Sequence, residues 1–157
     1  MGDIKRKKNK FKRPKKPFDK QRIIEEKEIV KKYGLKNKQE IWKAESEISR
    51  LRRMAKSLIP KSEEEKKEFF AKLNRLGFEV KDISDVLALN KEDWLKRRLQ
   101  TILLKKKLAR TIKHARQLIT HKLVLVDGRV VNRPGFIVTK DLEDKISLKT
   151  QKVKNEE

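Results

Sequence analysis

Apolar positions recur at helical spacing through the first two thirds of the chain and at strand spacing only towards its end. After Asp19, a candidate N-cap, Ile23, Ile24, Ile29, Val30 and Tyr33 mark one helix, and Gly34 is its stop. The second helix is the most clearly amphipathic. Asn37 and Glu40 have capping-box spacing, and Ile41, Ala44, Ile48, Leu51, Ala55 and Leu58 keep one face apolar until Pro60. Ser62 and Glu65 repeat that spacing ahead of Phe69, Phe70, Leu73 and Leu76, and Gly77 ends the run. The two phenylalanines are assigned to packing rather than base stacking, because aromatics inside an amphipathic run more often face a core. A short element around Ile83, Val86 and Leu87 leads to Asn90, which caps a helix predicted from Lys91 to about Lys107.

After Arg110 the text changes. Thr111 can cap a helix with Ile112, Ala115, Leu118 and Ile119 on one side and Lys113, Arg116 and Gln117 on the other, a polar stripe suited to phosphate. Beyond His121 the period becomes two, from Leu123 to Val126 and from Arg129 to Val131. Asp127-Gly128 between them is a hairpin signal, because a type I′ turn needs the positive φ that glycine adopts at low cost. Pro134 and Gly135 precede a predicted strand from Phe136 to Val138, and Ile146 to Leu148 supplies the last one. The pattern predicts an α+β chain: a mostly helical N-terminal region, then two helices packed on a small β-sheet.

Composition then narrows the partners. The 157 residues, 36% of them hydrophobic, suffice for one ordinary domain or two very small ones. Lys and Arg number 45 against 23 acids, a formal charge of +22, which repels itself unless a polyanion is present. No window approaches the roughly 18 uninterrupted apolar residues of a spanning helix, and no apolar stretch follows the first charges as in a secretory signal. The expectation is therefore a soluble, intracellular partner of nucleic acid, with no membrane. Absence of cysteine excludes disulfides, thiolate catalysis and cysteine-based zinc sites. His114 and His121 are the only imidazoles and no local cluster adds ligands, so neither a metal nor another cofactor is expected.

The N-terminus is dominated by charge: Lys5, Arg6, Lys7, Lys8, Lys10, Lys12, Arg13, Lys15, Lys16 and Lys20, interrupted by Pro14 and Pro17. Like charges extend such a segment and the prolines deny it a helix, so Lys5 to Lys20 is expected to be disordered when free. It reads either as a solubilising tail or nuclear-import patch, or as an arm that lies along RNA phosphates. The second reading is favoured because basic excess recurs throughout the chain. Arg50, Arg52, Arg53 and Lys56 decorate the second half of the second helix, near the negative end of its dipole. Of these, Arg50 and Arg53 are assigned to RNA contact over a merely solvated face.

The stretch from Arg97 to Ile146, about a third of the chain, resembles the RNA-binding domain shared by ribosomal protein S-four and several RNA-modifying proteins. Its markers are Arg97-Arg98-Leu99, then His114-Ala115-Arg116-Gln117-Leu118-Ile119, then Val126-Asp127-Gly128 through Asn132 and Pro134. The flanking text, with Arg13-Pro14, Tyr33-Gly34-Leu35, Asn37-Lys38, Glu40-Ile41-Trp42 and Trp94 through Thr101, looks like the archaeal and eukaryotic cytosolic S-four type, the eukaryotic member being called S-nine. The short tail suits the archaeal form. Three places depart from the family pattern: His121-Lys122-Leu123 stands where His-Gly-His is common, Lys105 to Lys107 replace a leucine-glycine helix end, and Thr139 to Asp144 is looser than the usual Gly-Asp turn.

The resemblance implies a basic extended arm over residues 1–20, a helical region over 21–95, an S-four-type domain over 96–149 and a frayed tail over 150–157. It implies a structural constituent of the small ribosomal subunit in the cytoplasm, not an enzyme. That protein binds the 5′ domain of small-subunit ribosomal RNA early, organises a multi-helix junction and supports translational accuracy. Implied partners are this RNA, neighbouring small-subunit proteins and messenger RNA where it enters its channel; outside the ribosome the chain should be a monomer. The RNA-contacting residues expected in the S-four-type domain are Arg97, Arg98, Arg110, Thr111, Lys113, His114, Arg116, Gln117, Lys122, Asn132 and Arg133.

Two other classes fit less well. A nucleolar assembly factor of the same architecture would bind only precursor particles, and Trp42 with the Arg98 to Thr101 segment favours the ribosomal member. An RNA-modifying enzyme would need a catalytic aspartate on a substantial mixed sheet, whereas the text before Asn90 is helical. Neither a Gly-rich phosphate loop nor a Ser-His-Asp set is evident, and Glu63 to Glu65 suit a helix N-terminus better than a paired-carboxylate site.

Overall fold

Helix α1 (Lys20–Tyr33) packs on α2 (Gln39–Leu58), whose buried positions Ile41, Ala44, Ile48, Leu51 and Ala55 follow the three-and-four spacing of its apolar stripe. The structure, a computed structural model, describes residues 11–149; Lys5 to Lys10 of the arm and the tail from Thr150 lie outside the described residues. The first half of α2 joins Ile29, Tyr33, Leu35 and Leu95 in one apolar cluster. Its second half joins Phe69, Leu73, Phe78, Val80 and Val86 in another, supplied by α3 (Glu63–Arg75), the turn after it and α4 (Ile83–Ala88). Trp94, on α5 (Lys91–Lys96), packs against both clusters and stacks on Phe78 at 5.9 Å between ring centroids.

A third cluster, including Leu99, Ile102, Leu103, Ala115, Ile119, Val124, Val126, Val138 and Ile146, lies among α6 (Leu99–Lys105), α7 (Ile112–Thr120) and a three-stranded sheet. Strands β1 (Val124–Val126), β2 (Arg129–Val130) and β3 (Ile146–Leu148) form an antiparallel sheet in the order β2-β1-β3, and α8 (Lys140–Glu143) precedes β3. The fold is α+β. Among the described residues no helix is long and apolar enough to cross a membrane. Asp127 and Gly128 have φ of 51° and 73° between the paired Val126 and Arg129, the positive values a type I′ hairpin requires.

Several expectations need correction. The helix from Lys91 to Lys107 is broken in two, because Arg98 is extended (φ −72°, ψ 142°) and forms a bridge with Ile137. Around it, the Leu99 N–H donates to the Phe136 carbonyl at 2.8 Å and the Val138 N–H to the Arg97 carbonyl at 3.0 Å. These long-range bonds outweigh local helical preference, and they reduce the predicted strand from Phe136 to Val138 to that single bridge. Lys38, not Asn37, is the N-cap of α2, and Glu40 is taken up by tertiary partners. Ser62 is the N-cap of α3 but makes no side-chain cap, and Glu65 pairs with Lys61 at 2.7 Å. The loose run from Thr139 to Asp144 contains α8.

Four helices end alike. After α1, α3, α6 and α7 the residues Gly34, Gly77, Lys107 and Lys122 take φ of 55°, 88°, 58° and 60°. In each, the next residue's N–H reaches back five positions, as from Leu35 to Val30, Phe78 to Leu73, Leu108 to Leu103 and Leu123 to Leu118. This is the Schellman ending, for which glycine is favoured. The two lysines stand where the family pattern led us to expect glycine, and the turn forms regardless. A side chain there costs about 1–2 kcal/mol, partly offset by a cation at the negative end of a helix, worth about 0.3–1 kcal/mol. Lys122→Gly is therefore expected to raise stability by about 1 kcal/mol and the thermal midpoint by about 2–4 °C for a chain of this size. Calorimetry checks this; a lowered midpoint would mean that the lysine makes a stabilising contact larger than its strain.

Candidate nucleic-acid interface

Helix α7 owes its placement to its two stripes. Ala115 and Ile119 are fully buried against α6 and the sheet, which turns Lys113 and Gln117 outward. Thr111 is the N-cap, extended at φ −137°, and its Oγ accepts the His114 N–H at 3.1 Å. The N-terminal end of the helix carries partial positive charge from the aligned peptide dipoles. Arg110 and Lys113 add full charges there and are exposed, as are Lys105 and Lys107 on the approach from α6. The half-buried His114 ring accepts the Arg110 backbone N–H through Nδ1 at 3.4 Å. At the other end of α7 Lys122 is exposed, and Asn132 and Arg133 are exposed on the loop after β2. Among the described residues, none of Lys105, Lys107, Arg110, Lys113, Lys122 and Arg133 is paired with a carboxylate.

Three arginines expected on this interface are engaged inside instead. Arg98 is 6% exposed, and its guanidinium pairs with Glu40. Arg116 Nη2 lies 3.0 Å from Glu40 Oε1 while its Nη1 donates to the Gly34 carbonyl at 3.4 Å. Arg97 Nη1 lies 2.9 Å from Glu143, and its Nη2 donates to the Val138 carbonyl at 2.8 Å. With side chains only 12% and 7% exposed, Arg97 and Arg98 direct these donors to protein partners. Arg116, at 24%, is turned towards Glu40 rather than outward.

Glu40 was missed because its capping-box spacing already explained it. Burial alone would push its carboxyl up, but hydrogen bonds from Arg116 and Arg98, with their charges, outweigh that and hold it below the usual carboxylate range. Its Oε1 also accepts the Lys36 N–H at 3.1 Å. Gln100, also missed, is buried and donates to the Gly34 carbonyl at 3.1 Å and the Ile112 carbonyl at 2.9 Å. A polar residue at a core-facing position of α6 was the available signal.

The described part of the arm follows α2. Phe11 sits 5.9 Å from Trp42, centroid to centroid, and the Lys12 N–H donates to Ser46 Oγ at 3.3 Å. Lys12, Arg13, Lys15 and Lys16 are exposed. Between arm and helix lies an open cavity of about 950 Å³ bordered by Arg22, Arg50 and Arg53. Arg50 pairs with Glu47 at 2.8 Å, and Arg53 is exposed. Trp42 anchors this corner by donating to the buried Glu26 at 2.9 Å. Among the described residues no group of three His, Asp or Glu side chains is placed to hold a metal ion.

Comparison with known proteins agrees with this architecture. The S4 domain family matches residues 97–144, the segment from the arginine pair to the end of α8. The small ribosomal subunit protein uS4 of Hyperthermus butylicus is 46% identical over 150 residues, 92% of this chain and 85% of that protein. Its counterpart in Methanothermobacter thermautotrophicus is 43% identical over 152 residues, 93% and 89% of the two chains, and that of Saccharolobus solfataricus is 44% identical over 153 residues, 93% and 84%. The chain belongs to the uS4 family. The family resemblance read from residues 97 to 146 and from the N-terminal half is thus correct, and all three of these uS4 relatives are archaeal.

Glu40→Gln in this uS4 chain leaves the buried Arg98 guanidinium and the half-buried one of Arg116 facing a neutral amide, and is expected to lower stability by about 3 kcal/mol. The pH dependence has a definite sign. Because the folded carboxyl ionises below its unfolded value of about 4.3, its contribution is complete above that value and disappears as pH falls through the folded one. Urea unfolding from pH 7 to pH 3 should show the wild-type advantage over Glu40→Gln shrinking in acid. A constant difference would mean that the carboxylate charge is not what stabilises the site.

Proposed function

We propose that this chain is a structural protein of the small ribosomal subunit that binds small-subunit ribosomal RNA and performs no catalysis. The observation that carries the reading is the set of exposed cations around the N-terminus of α7, Arg110 and Lys113 with Lys105 and Lys107, on a chain of net charge +22. The relatives are small ribosomal subunit proteins by name, which agrees with it. In finer detail, the chain binds the 5′ domain of that RNA early, organises a multi-helix junction and supports decoding accuracy. Its other partners there are neighbouring small-subunit proteins and messenger RNA entering its channel. It acts in the cytoplasm and is a monomer before assembly.

The physical basis is shape recognition. A-form RNA hides its base edges in a deep, narrow groove, so a protein reads it by placing donors rigidly against phosphates and 2′-hydroxyls. Helix α7 is fixed by its buried stripe, and Thr111, Lys113, His114, Gln117 and the flanking Arg110 are assigned to this contact. Lys122, Asn132 and Arg133 extend it at the far end. Lys12, Arg13, Lys15 and Lys16 of the arm, with Arg50 and Arg53 on α2, form a second basic surface, and Lys5, Arg6, Lys7, Lys8 and Lys10 of the sequence are assigned to RNA contact as well.

Affinity for a transcript of small-subunit ribosomal RNA should fall steeply with salt as counterions are released. Lys113→Ala should weaken binding and flatten the plot of log affinity against log salt by about one unit. Gln117→Ala, which removes no charge, should leave that slope intact. An unchanged slope in Lys113→Ala would remove α7 from the phosphate contact. Sedimentation tests the wider reading: the native protein should travel with mature small subunits, and its confinement to precursor particles would refute permanent residence.

A further inference from the structure

The three apolar clusters stop at one joint. Two contain buried residues between Ile29 and Leu95 only, and the third contains residues between Leu99 and Ile146 only. The chain crosses from one side to the other at Arg97 and Arg98, and these neighbours reach in different directions. Arg98 goes to Glu40 at the start of α2, where Arg116 of α7 joins it and Gln100 of α6 holds the Gly34 carbonyl. Arg97 goes to Glu143 of α8 and lies so close over Gly77 that a Cβ there would come within 2.4 Å of its Cζ. One arginine thus grips the α1–α2 corner, and the other fills the gap between the turn after α3 and α8.

We propose that Arg97 and Arg98 are positioning residues, a two-sided clasp that fixes the angle between the α2 surface and the α7 surface so that both engage one RNA at once. Charge-assisted hydrogen bonds are directional where apolar contact is not, so a joint closed by them holds one orientation. A second contact made by an already bound, rigid protein is intramolecular, and its contribution disappears when the geometry drifts. The affinity part rests on the RNA-binding reading above; the orientation part stands without it.

The chain has no cysteine, so Ser57→Cys on α2 and Ser147→Cys on β3, both exposed, can carry a pair of spin labels. The otherwise wild-type chain should give one narrow distance distribution. Glu40→Gln should broaden it, as should Glu143→Ala, which loosens the other jaw and serves if Glu40→Gln fails to fold. Binding to the ribosomal RNA transcript, below the melting temperature confirmed by circular dichroism, should weaken about tenfold with a shallower salt slope. Removing an acid from a protein that binds a polyanion would by itself tighten binding, so this loss has the opposite sign to the simple charge effect. An unchanged distance distribution, or affinity equal to or above wild type, overturns the clasp. Failure of the wild-type chain to bind the transcript overturns the RNA reading instead, and the label distances still decide the joint.

Discussion

A carboxylate held between two guanidiniums governs how the halves of this protein meet. Glu40 and Arg98 are largely removed from water, which costs each ion several kcal/mol before any attraction is counted. The arrangement persists because Arg116, the Lys36 N–H and the pairing itself satisfy the carboxylate from several sides. Without that carboxylate, the buried Arg98 guanidinium has no counter-charge, and Arg116 of α7 loses its ion pair with the start of α2. The apolar stripe seats α7 in its own domain, and an acid ties it to α2.

The same division of labour extends over the molecule. Acids in the interior act as staples: Glu26 gathers Trp42, Lys38 and Arg22, and Glu143 holds Arg97. Glu92 accepts from Lys32 and Tyr33, and the Tyr33 hydroxyl is pushed well up by burial and by that carboxylate. A chain with so large a cationic excess can afford few neutralising contacts on the surface it presents to RNA. Other acids pair on exposed faces, as Glu47 with Arg50 and Glu65 with Lys61, and among the described residues none pairs with Lys105, Lys107, Arg110 or Lys113 around α7. Charge that would destabilise a free monomer becomes favourable beside phosphate.

What the sequence made legible follows the range of the forces involved. Helices α1 to α4 and α7, the Asp127-Gly128 turn, and the caps at Thr111, Gly34 and Gly77 rest on local patterns, and all are present. The break at Arg98 and the reduced strand at Ile137 rest on hydrogen bonds between residues about forty apart, which no local period reveals. The candidate site divides in the same way. Lys113 and Gln117 face outward as the helical stripe requires, whereas Arg97, Arg98 and Arg116 read as surface cations until their acidic partners are known. An arginine in a basic sequence carries no local mark of whether its partner is phosphate or glutamate.

The Schellman endings show the limit of reading glycine as a requirement. At Gly77 the residue type is fixed by space, since any Cβ would strike the Arg97 guanidinium, and Gly34 is confined in the same way by Gln100 and Ile112. Lys107 and Lys122 adopt the same backbone conformation while remaining exposed, so nothing crowds their side chains and only the intrinsic strain of the left-handed region remains. A lysine is tolerable where strain is the sole objection and a cation lies at the negative end of a helix. Where the helix end is also a joint between elements, glycine has no substitute. The two lysines in the left-handed conformation therefore stand at exposed helix ends, and Gly34 and Gly77 are the positions on which the clasp closes.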